Sequence, residues 1–149
     1  MSVTFQTEFF DDVCDEAEAL ARAHWEETEA SMYGERVYSL NRKQYRAMES
    51  ANMLHIMTAR SDGRMVGYAS FFLTYNAHML GVVASLDGLF VDREFRGHCG
   101  LKLLRFAMEQ VKACGAKAIQ FSSPASRDCG ALYRRLGAEV TETVYTKVF

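Results

Sequence analysis

The order of hydrophobic and polar positions predicts a chain in which strands and helices alternate. Residues 81–91 form a long run of strand-forming residues, and apolar residues from Leu101 to Val111 then repeat at the spacing of one helix face. An Asp62-Gly63 turn predicts a hairpin between two further strands, because this pair adopts positive φ at low cost. The predicted elements are, in chain order, a strand at 3–7, a helix that follows Asp11 and Asp12 and reaches Trp25, a helix with Asn41 as its N-cap that ends near Ala51 and Asn52, strands at 54–60, 65–73 and 81–91, a helix at 100–113, a strand at 118–122, a short helix after Pro124 and a last strand at 139–148.

This order predicts an α/β fold, a mixed sheet with helices on both faces and one core. Three consecutive strands joined by short turns form an antiparallel meander. The strand at 118–122 follows a helix, so we expect it to lie parallel to residues 86–91 through a right-handed connection. Gly67 lies inside a strand and indicates a bulge or a close approach of backbone. We predict a single domain over residues 1–149.

The loop between the strand and the helix has the features of an anion-binding site. Gly97 and Gly100 let a ligand approach the backbone, and Arg96 offers a charge-assisted contact. The first amides of a helix have no partner within the helix, and the helix dipole adds partial positive charge, so a diphosphate fits there. A tight connection without a ligand is the alternative that these residues alone leave open.

Composition and charge narrow the function. The 149 residues carry a net charge of −2, so no general basic field draws the chain to nucleic acid. We find neither an apolar run of membrane-spanning length nor a signal sequence, and we predict a cytoplasmic protein without a membrane anchor. The four cysteines form no CxxC pair and have no histidine at metal-ligand spacing, so we expect reduced thiols and no metal. Residues 26–29 are acidic and form either a solvated face or a rim that attracts a cationic substrate.

Two segments resemble the GNAT superfamily of acetyl-CoA-dependent N-acetyltransferases. LFVDREFRGHCGLKLLRFA at 89–107 is similar to the diphosphate loop of that family, and SRDCGALYRRLGAEV at 126–140 is similar to its last helix. With Arg96 at the first position and Gly100 at the last, the loop is one residue shorter than the family pattern; in an ungapped register, Cys99 stands where a glycine is usual. Arg93 stands where a proline is usual. The segments around HWEE and DGRMVGYASFF, with the strand that contains Asp87, are also similar to small GNAT proteins of phage genomes.

The resemblance implies a fold, a cosubstrate and a set of binding residues. The acyl-CoA N-acyltransferase fold would separate the two parallel strands, and the pantetheine arm of acetyl-CoA would enter between residues 89–91 and 118–122. The cofactor-binding residues that it implies are Leu89, Phe90, Val91, Arg96, Gly97, His98, Cys99, Gly100, Leu101 and Ser126.

The same resemblance assigns Tyr133 as the acid that protonates the leaving thiolate, although a tyrosine packed in the core is the alternative. Asp87 interrupts an apolar strand and is our candidate base, because burial would raise its pKa. An aspartate bonded to backbone at a bulge is equally compatible with this position. Trp25, Tyr33, Tyr38 and His78 are predicted to border the acceptor, with core packing as the alternative for Trp25.

Three functions remain possible from the sequence. The leading one is an N-acetyltransferase that moves an acetyl group from acetyl-CoA to a primary amine of a small molecule or protein by direct attack. The second is a GNAT-like protein with little or no activity that acts through a partner, which the short loop favours. A nucleotide-binding α/β domain is a remoter third, because no full glycine fingerprint is present. Exposed strand edges also make a homodimer plausible.

Overall fold

A computed structural model describes residues 2–33 and 36–149. The predicted order of elements is confirmed up to the last strand. The elements are β1 (Val3–Glu8), α1 (Phe10–His24), α2 (Arg42–Ser50), β2 (Leu54–Ser61), β3 (Arg64–Asn76), β4 (Gly81–Val91), α3 (His98–Ala113), β5 (Ala118–Gln120) and α4 (Gly130–Arg135). One π-helical turn, Trp25–Glu29, extends α1, and a 3-10 turn, Arg93–Phe95, precedes α3.

The five strands form one sheet in the order β1-β2-β3-β4-β5. The first four strands are antiparallel, and β5 lies parallel to β4, as the crossover through α3 predicts. Helices cover both faces. Leu54 and Ile56 of β2 pack in a cluster with α1, whereas Met57 and Ala59 belong to a second cluster with α3 and α4. The mixed α/β architecture is therefore confirmed.

Two turn-forming features of the sequence act as predicted. Asp62 and Gly63 have φ values of 49° and 79° in the β2–β3 hairpin. The register between these strands shifts beside Gly67, where a bulge lies. A Cβ at Gly67 would lie 3.0 Å from the Phe90 carbonyl oxygen, so the close approach of backbone is also present.

Helix α3 begins two residues earlier than the sequence indicates. Its N-cap is Gly97, with φ 107° and ψ −114°, a conformation that side chains disfavour, and Gly100 lies inside the first turn. The prediction that Gly100 starts the helix is therefore wrong. Strand β5 is also shorter than predicted and ends at Gln120, not at residue 122.

The predicted last strand, at 139–148, is absent: residues 138–149 carry no regular structure and are largely exposed. Val140, Val144 and Tyr145 are 84%, 79% and 92% exposed. Alternating β-branched residues give this segment strand propensity, but a strand also needs a partner for its backbone groups. In the described residues, β5 is the edge strand on that side of the sheet, and it is only three residues long. It therefore offers few backbone groups with which a last strand could pair. In the same described residues, we find no helix that combines the length and the apolarity needed to cross a bilayer.

Candidate active site

The parallel strands β4 and β5 pair over only three residues each, and we use the term split for the unpaired stretch that follows. They pair only where residues 83–85 face residues 118–120, so the rest of β4, residues 86–91, runs beyond the end of β5. Half of the backbone N–H and C=O groups of β4 point towards β3. The others point to the opposite side, where residues 86–91 have no partner in β5. Leu89, Phe90 and Val91 therefore lie along a split at the carboxyl end of a parallel strand, where ligands of α/β sheets bind.

The N-terminus of α3 follows this split directly. Helix geometry leaves the amides of His98, Cys99 and Gly100 without acceptors in the helix, and no side chain caps them in the described residues. The side chains of Cys99 and Leu101 are buried, at 8% and 9% exposure, so only their backbone faces a ligand. Burial also raises the pKa of the Cys99 thiol, which argues against a reactive thiolate.

Arg96 stands between the split and α3. Its Nε donates to the Val91 carbonyl oxygen at 2.9 Å, and its guanidinium lies 5.3 Å from the centre of the Phe90 ring. Its other end contacts the Glu27 carboxylate. Across the split, Ser126 follows β5, and its hydroxyl donates to the Thr28 carbonyl oxygen at 2.6 Å. The predicted cofactor residues after β4 and after β5 are thus both held by the turn that follows α1.

Asp87 occupies a bulge in β4. Ser70 pairs with Gly88 and Phe71 with Leu86, so Asp87 is the extra residue that has no partner on β3. Its carboxylate accepts hydrogen bonds from the Ser70 hydroxyl at 2.8 Å and the Tyr45 hydroxyl at 2.9 Å. Burial raises the pKa of Asp87, and these two hydrogen bonds only partly oppose that effect. The bulge that the sequence left open is present, but the carboxylate binds side chains rather than backbone.

Further polar groups lie near Asp87: the sequence indicates Glu29 only as part of the acidic segment 26–29, and it does not indicate His24 or Tyr68 as site residues. Burial raises the pKa of Glu29, and the nearby charge of Asp87 raises it further. His24 is buried, its Nδ1 lies 2.8 Å from the Tyr68 hydroxyl, and its ring stacks on Phe90 at 5.5 Å. Burial, with the charge of Arg127, lowers the pKa of His24 to about 4, so this imidazole is neutral at pH 7. No local motif identifies these residues, because α1, β3 and β4 bring them together only in the fold.

Tyr133 lies at the edge of the core. It is 7% exposed, its ring stacks on Phe121 at 4.8 Å, and its hydroxyl donates to the Ser122 carbonyl oxygen at 2.7 Å. Burial raises its pKa, so the hydroxyl stays protonated at neutral pH. The side chain therefore packs in the core, as the alternative interpretation has it, and the acid role of Tyr133 stays a prediction.

The structure brings together some of the predicted acceptor residues. Trp25 and Tyr33 stack at 5.9 Å, and Tyr38 meets Trp25 edge-on at 6.4 Å. The Tyr38 hydroxyl is buried without a hydrogen-bond partner among the described residues. His78, in contrast, is exposed in the turn before β4, at the opposite end of that eleven-residue strand from α3. The structure does not bring His78 to the other candidate residues.

Comparison with known proteins agrees with this geometry. The profile of the acetyltransferase (GNAT) family matches residues 14–138. A comparison with curated protein sequences finds no significant match.

Solved structures share the fold at low identity. A ribosomal-protein-alanine N-acetyltransferase from Brucella melitensis biovar Abortus 2308 is 14% identical, with 99% of each chain covered and a TM-score of 0.74. A glucosamine-6-phosphate N-acetyltransferase from Arabidopsis thaliana is 14% identical over 100% of this chain and 99% of that one, with a TM-score of 0.74. A predicted acetyltransferase from Clostridium acetobutylicum, determined with acetyl-CoA, is 10% identical over 99% and 96%, with a TM-score of 0.75.

Proposed function

Because the chain belongs to the GNAT acetyltransferase family, we propose that it transfers an acetyl group from acetyl-CoA to a primary amine of a small molecule or protein. The observation that carries this proposal is the split between β4 and β5, bordered by the uncapped N-terminus of α3 and by the bulge that holds Asp87. Together these offer backbone donors for an extended ligand, an anion site and a buried carboxylate. The further likeness to phage proteins stays a prediction.

The residues present suit acetyl-CoA as cosubstrate. The open-side backbone groups of residues 89–91 would hold the pantetheine arm as an added strand, which fits the missing length of β5. The amides at the start of α3, with Arg96, would hold the diphosphate, and Ser126 would face the arm from the other side of the split. A solved structure of similar fold is described with acetyl-CoA, which supports this choice.

Acetyl-CoA supplies the acetyl thioester, and the protein must manage two protons. The attacking amine has to lose a proton, and Asp87, directly or through a water molecule, is the buried carboxylate placed to accept it. The thiolate that leaves has to gain a proton, which we assign to the Tyr133 hydroxyl. Burial keeps that hydroxyl protonated at neutral pH, and it must break its hydrogen bond to the Ser122 carbonyl oxygen to reach the thiolate. The tyrosinate that results takes a proton back from water.

The acceptor is expected to be cationic before it reacts. Glu29 and Asp87 supply negative charge, and the stacked Trp25 and Tyr33 supply aromatic faces that attract ammonium groups. Solved structures of similar fold include enzymes named for amine substrates, among them an aminoglycoside acetyltransferase determined with sisomicin.

The test combines calorimetry with a thiol-release assay. We expect acetyl-CoA and CoA to bind, and thiol to appear with at least one member of an amine panel that includes aminoglycosides, polyamines and N-terminal alanine peptides. Tyr133→Phe should lower turnover about 100-fold to 10,000-fold while the Kd for CoA stays the same. It should also cost about 1 kcal/mol of stability, because the Ser122 carbonyl loses its donor.

One observation favours the alternative of a binding protein without turnover: the Tyr133 hydroxyl is engaged with backbone rather than free. Cofactor binding without thiol release across the panel would support that alternative. Turnover of Tyr133→Phe equal to wild type would refute the acid assignment. Failure of both acetyl-CoA and CoA to bind folded protein would refute the enzyme proposal altogether.

The proposal also includes a location and an assembly state. All four cysteines are free thiols, which fits the reducing cytoplasm. The exposed apolar residues of segment 138–149 support a homodimer, because a second copy would remove them from water. Analytical ultracentrifugation of the full chain measures the assembly state directly.

A further inference from the structure

Three arginines meet at one carboxylate beside the split. The Glu27 carboxylate lies 2.6 Å from a guanidinium nitrogen of Arg127, 2.8 Å from one of Arg96 and 3.7 Å from one of Arg93. We call Arg93, Arg96 and Arg127 the arginine cluster. Glu27 belongs to the acidic segment 26–29, for which the sequence suggested only a solvated face or a substrate rim. In the structure it is instead an internal counter-ion.

The arginine cluster lies on both sides of the split. Arg93 and Arg96 follow β4, whereas Arg127 follows β5, and the carboxyl ends of these parallel strands face the same edge of the sheet. The contacts of Glu27 with Arg96 and Arg127 therefore connect the two loops between which a ligand must enter. The bonds of Arg96 to Val91 and Phe90 fix its position there whether or not Glu27 is bound.

The charges around Glu27 are not balanced. Three guanidinium groups against one carboxylate leave two positive charges in excess, and within 2–33 and 36–149 no other carboxylate forms an ion pair with the cluster. Partial burial works against ionisation of Glu27, but the hydrogen bond from Arg96 and the charges of the three arginines lower its pKa. Glu27 is therefore ionised at neutral pH and competes for the cluster as an anion.

We infer that Glu27 is a built-in competitor for the phosphate group of a ligand: it occupies the arginine cluster in this structure and is displaced when the phosphate binds. The fork of a guanidinium group fits phosphate as well as carboxylate oxygens, and a phosphate brings more charge and more acceptor oxygens. The inference rests on the proposed function only in taking the phosphates of CoA, its diphosphate or its 3′-phosphate, as the ligand class.

The solvent exposure of these side chains determines how easily a phosphate displaces the Glu27 carboxylate. The side chains of Glu27, Arg96 and Arg127 are 27%, 26% and 40% exposed. Ion pairs with this much contact with water are weak, so a phosphate displaces the carboxylate at little cost. Removing the negative charge of Glu27 should thus strengthen phosphate binding, whereas a carboxylate that only positions the arginines would have the opposite effect.

The experiment measures binding of inorganic pyrophosphate and of CoA by calorimetry at low ionic strength. Glu27→Gln should bind both roughly threefold to tenfold more tightly than wild type, because the variant lacks the competing charge. Glu26→Gln is the matched control, since Glu26 is exposed and has no ion pair in the described residues. We expect its affinities to equal those of wild type. Arg127→Gln should weaken binding roughly threefold or more, with circular dichroism confirming that each variant is folded.

The inference would be overturned if Glu27→Gln bound pyrophosphate and CoA no more tightly than wild type. It would also be overturned if neither the wild type nor any variant bound either ligand. Dephospho-CoA distinguishes the two sources of phosphate. If Arg127→Gln weakens CoA but not dephospho-CoA, the cluster binds the 3′-phosphate; equal weakening of both assigns it to the diphosphate. If no amine is acetylated while Glu27→Gln still binds pyrophosphate more tightly, the phosphate site stands and the proposed function fails.

Discussion

Replacing Asp87 with asparagine should separate activity from stability. The amide keeps the size of the side chain and an oxygen for the hydroxyls of Ser70 and Tyr45, but it cannot accept the proton of an amine. A positioned general base contributes about 100-fold to 10,000-fold to a rate, so we expect kcat/KM of Asp87→Asn to fall by that factor.

Although its activity should fall, the free energy of unfolding of Asp87→Asn should stay the same or rise. Burial raises the pKa of Asp87 in the folded protein above its ordinary value of 3.8. Above pH 3.8 the unfolded chain therefore loses this proton first, so stability falls with rising pH until the folded carboxyl ionises too. Each unit by which the folded value exceeds the unfolded one costs about 1.4 kcal/mol at neutral pH. Asparagine avoids this cost and loses about 1 kcal/mol through its weaker, uncharged hydrogen bonds. The net effect at pH 7 should be close to zero or stabilising.

The assay pairs thiol release from pH 5 to 9 with urea denaturation at several pH values from 3.5 to 8. The stability of the variant relative to wild type should rise with pH through the window above pH 3.8. Asp62→Asn, an exposed change in the β2–β3 turn, is the matched control and should alter neither property. A variant with wild-type turnover that is destabilised by more than about 2 kcal/mol at pH 7 would show that the carboxylate serves the fold and not the reaction.

Two further predictions test the geometry around the site and the sheet. Gly97→Ala should lower the free energy of unfolding by about 1 to 3 kcal/mol in thermal denaturation, because a φ of 107° strains any side chain. Gly100→Ala should be neutral or stabilising by up to about 1 kcal/mol, because the nearest atom to its new Cβ would be in Leu132, at 3.9 Å. Equal effects at the two glycines would contradict the observed start of α3. For Glu8, burial opposes ionisation, but hydrogen bonds from Arg60 and Thr58 outweigh it and lower the pKa, so Glu8→Gln should lose about 2 kcal/mol at pH 7. That loss should shrink as pH falls through the lowered pKa of Glu8, and a pH-independent loss in urea titrations would contradict the ionic explanation.

The sequence predicts most of the fold because its signals are local. The Asp62-Gly63 pair fixes the hairpin, and the side chain of Asn41 caps α2 by accepting a hydrogen bond from the Gln44 amide, as its position before that helix predicts. The strand at 139–148 fails for the opposite reason. Propensity favours an extended chain there, but only a neighbouring strand can satisfy its backbone, and no local pattern reports whether one exists.

The site was predictable only where one residue breaks a pattern. Asp87 is noticeable because a carboxylate in an apolar strand is unusual, and the glycines of the α3 loop are noticeable for their spacing. Glu27 and His24 give no such signal, because each lies on a polar or amphipathic helix where its residue type is ordinary. Their roles depend on partners far away in the sequence: Glu27 contacts Arg96, 69 residues later, and His24 contacts Tyr68, 44 residues later. Long-range pairings of this kind exist only after the sheet has formed.

Gly88 explains why the bulge and the polar site occur together. It directly follows Asp87, and a Cβ there would lie 3.2 Å from the Tyr68 ring, 3.4 Å from the Ser70 hydroxyl and 3.7 Å from the His24 ring. Because the position carries no side chain, these three groups can close over β4, where Ser70 reaches the Asp87 carboxylate and His24 reaches the Tyr68 hydroxyl. The bulge directs Asp87 into the site, and the glycine after it makes room for Ser70, which holds Asp87 there, and for the His24–Tyr68 pair beside it. Two adjacent residues of one strand thus set the position and the environment of the proposed base.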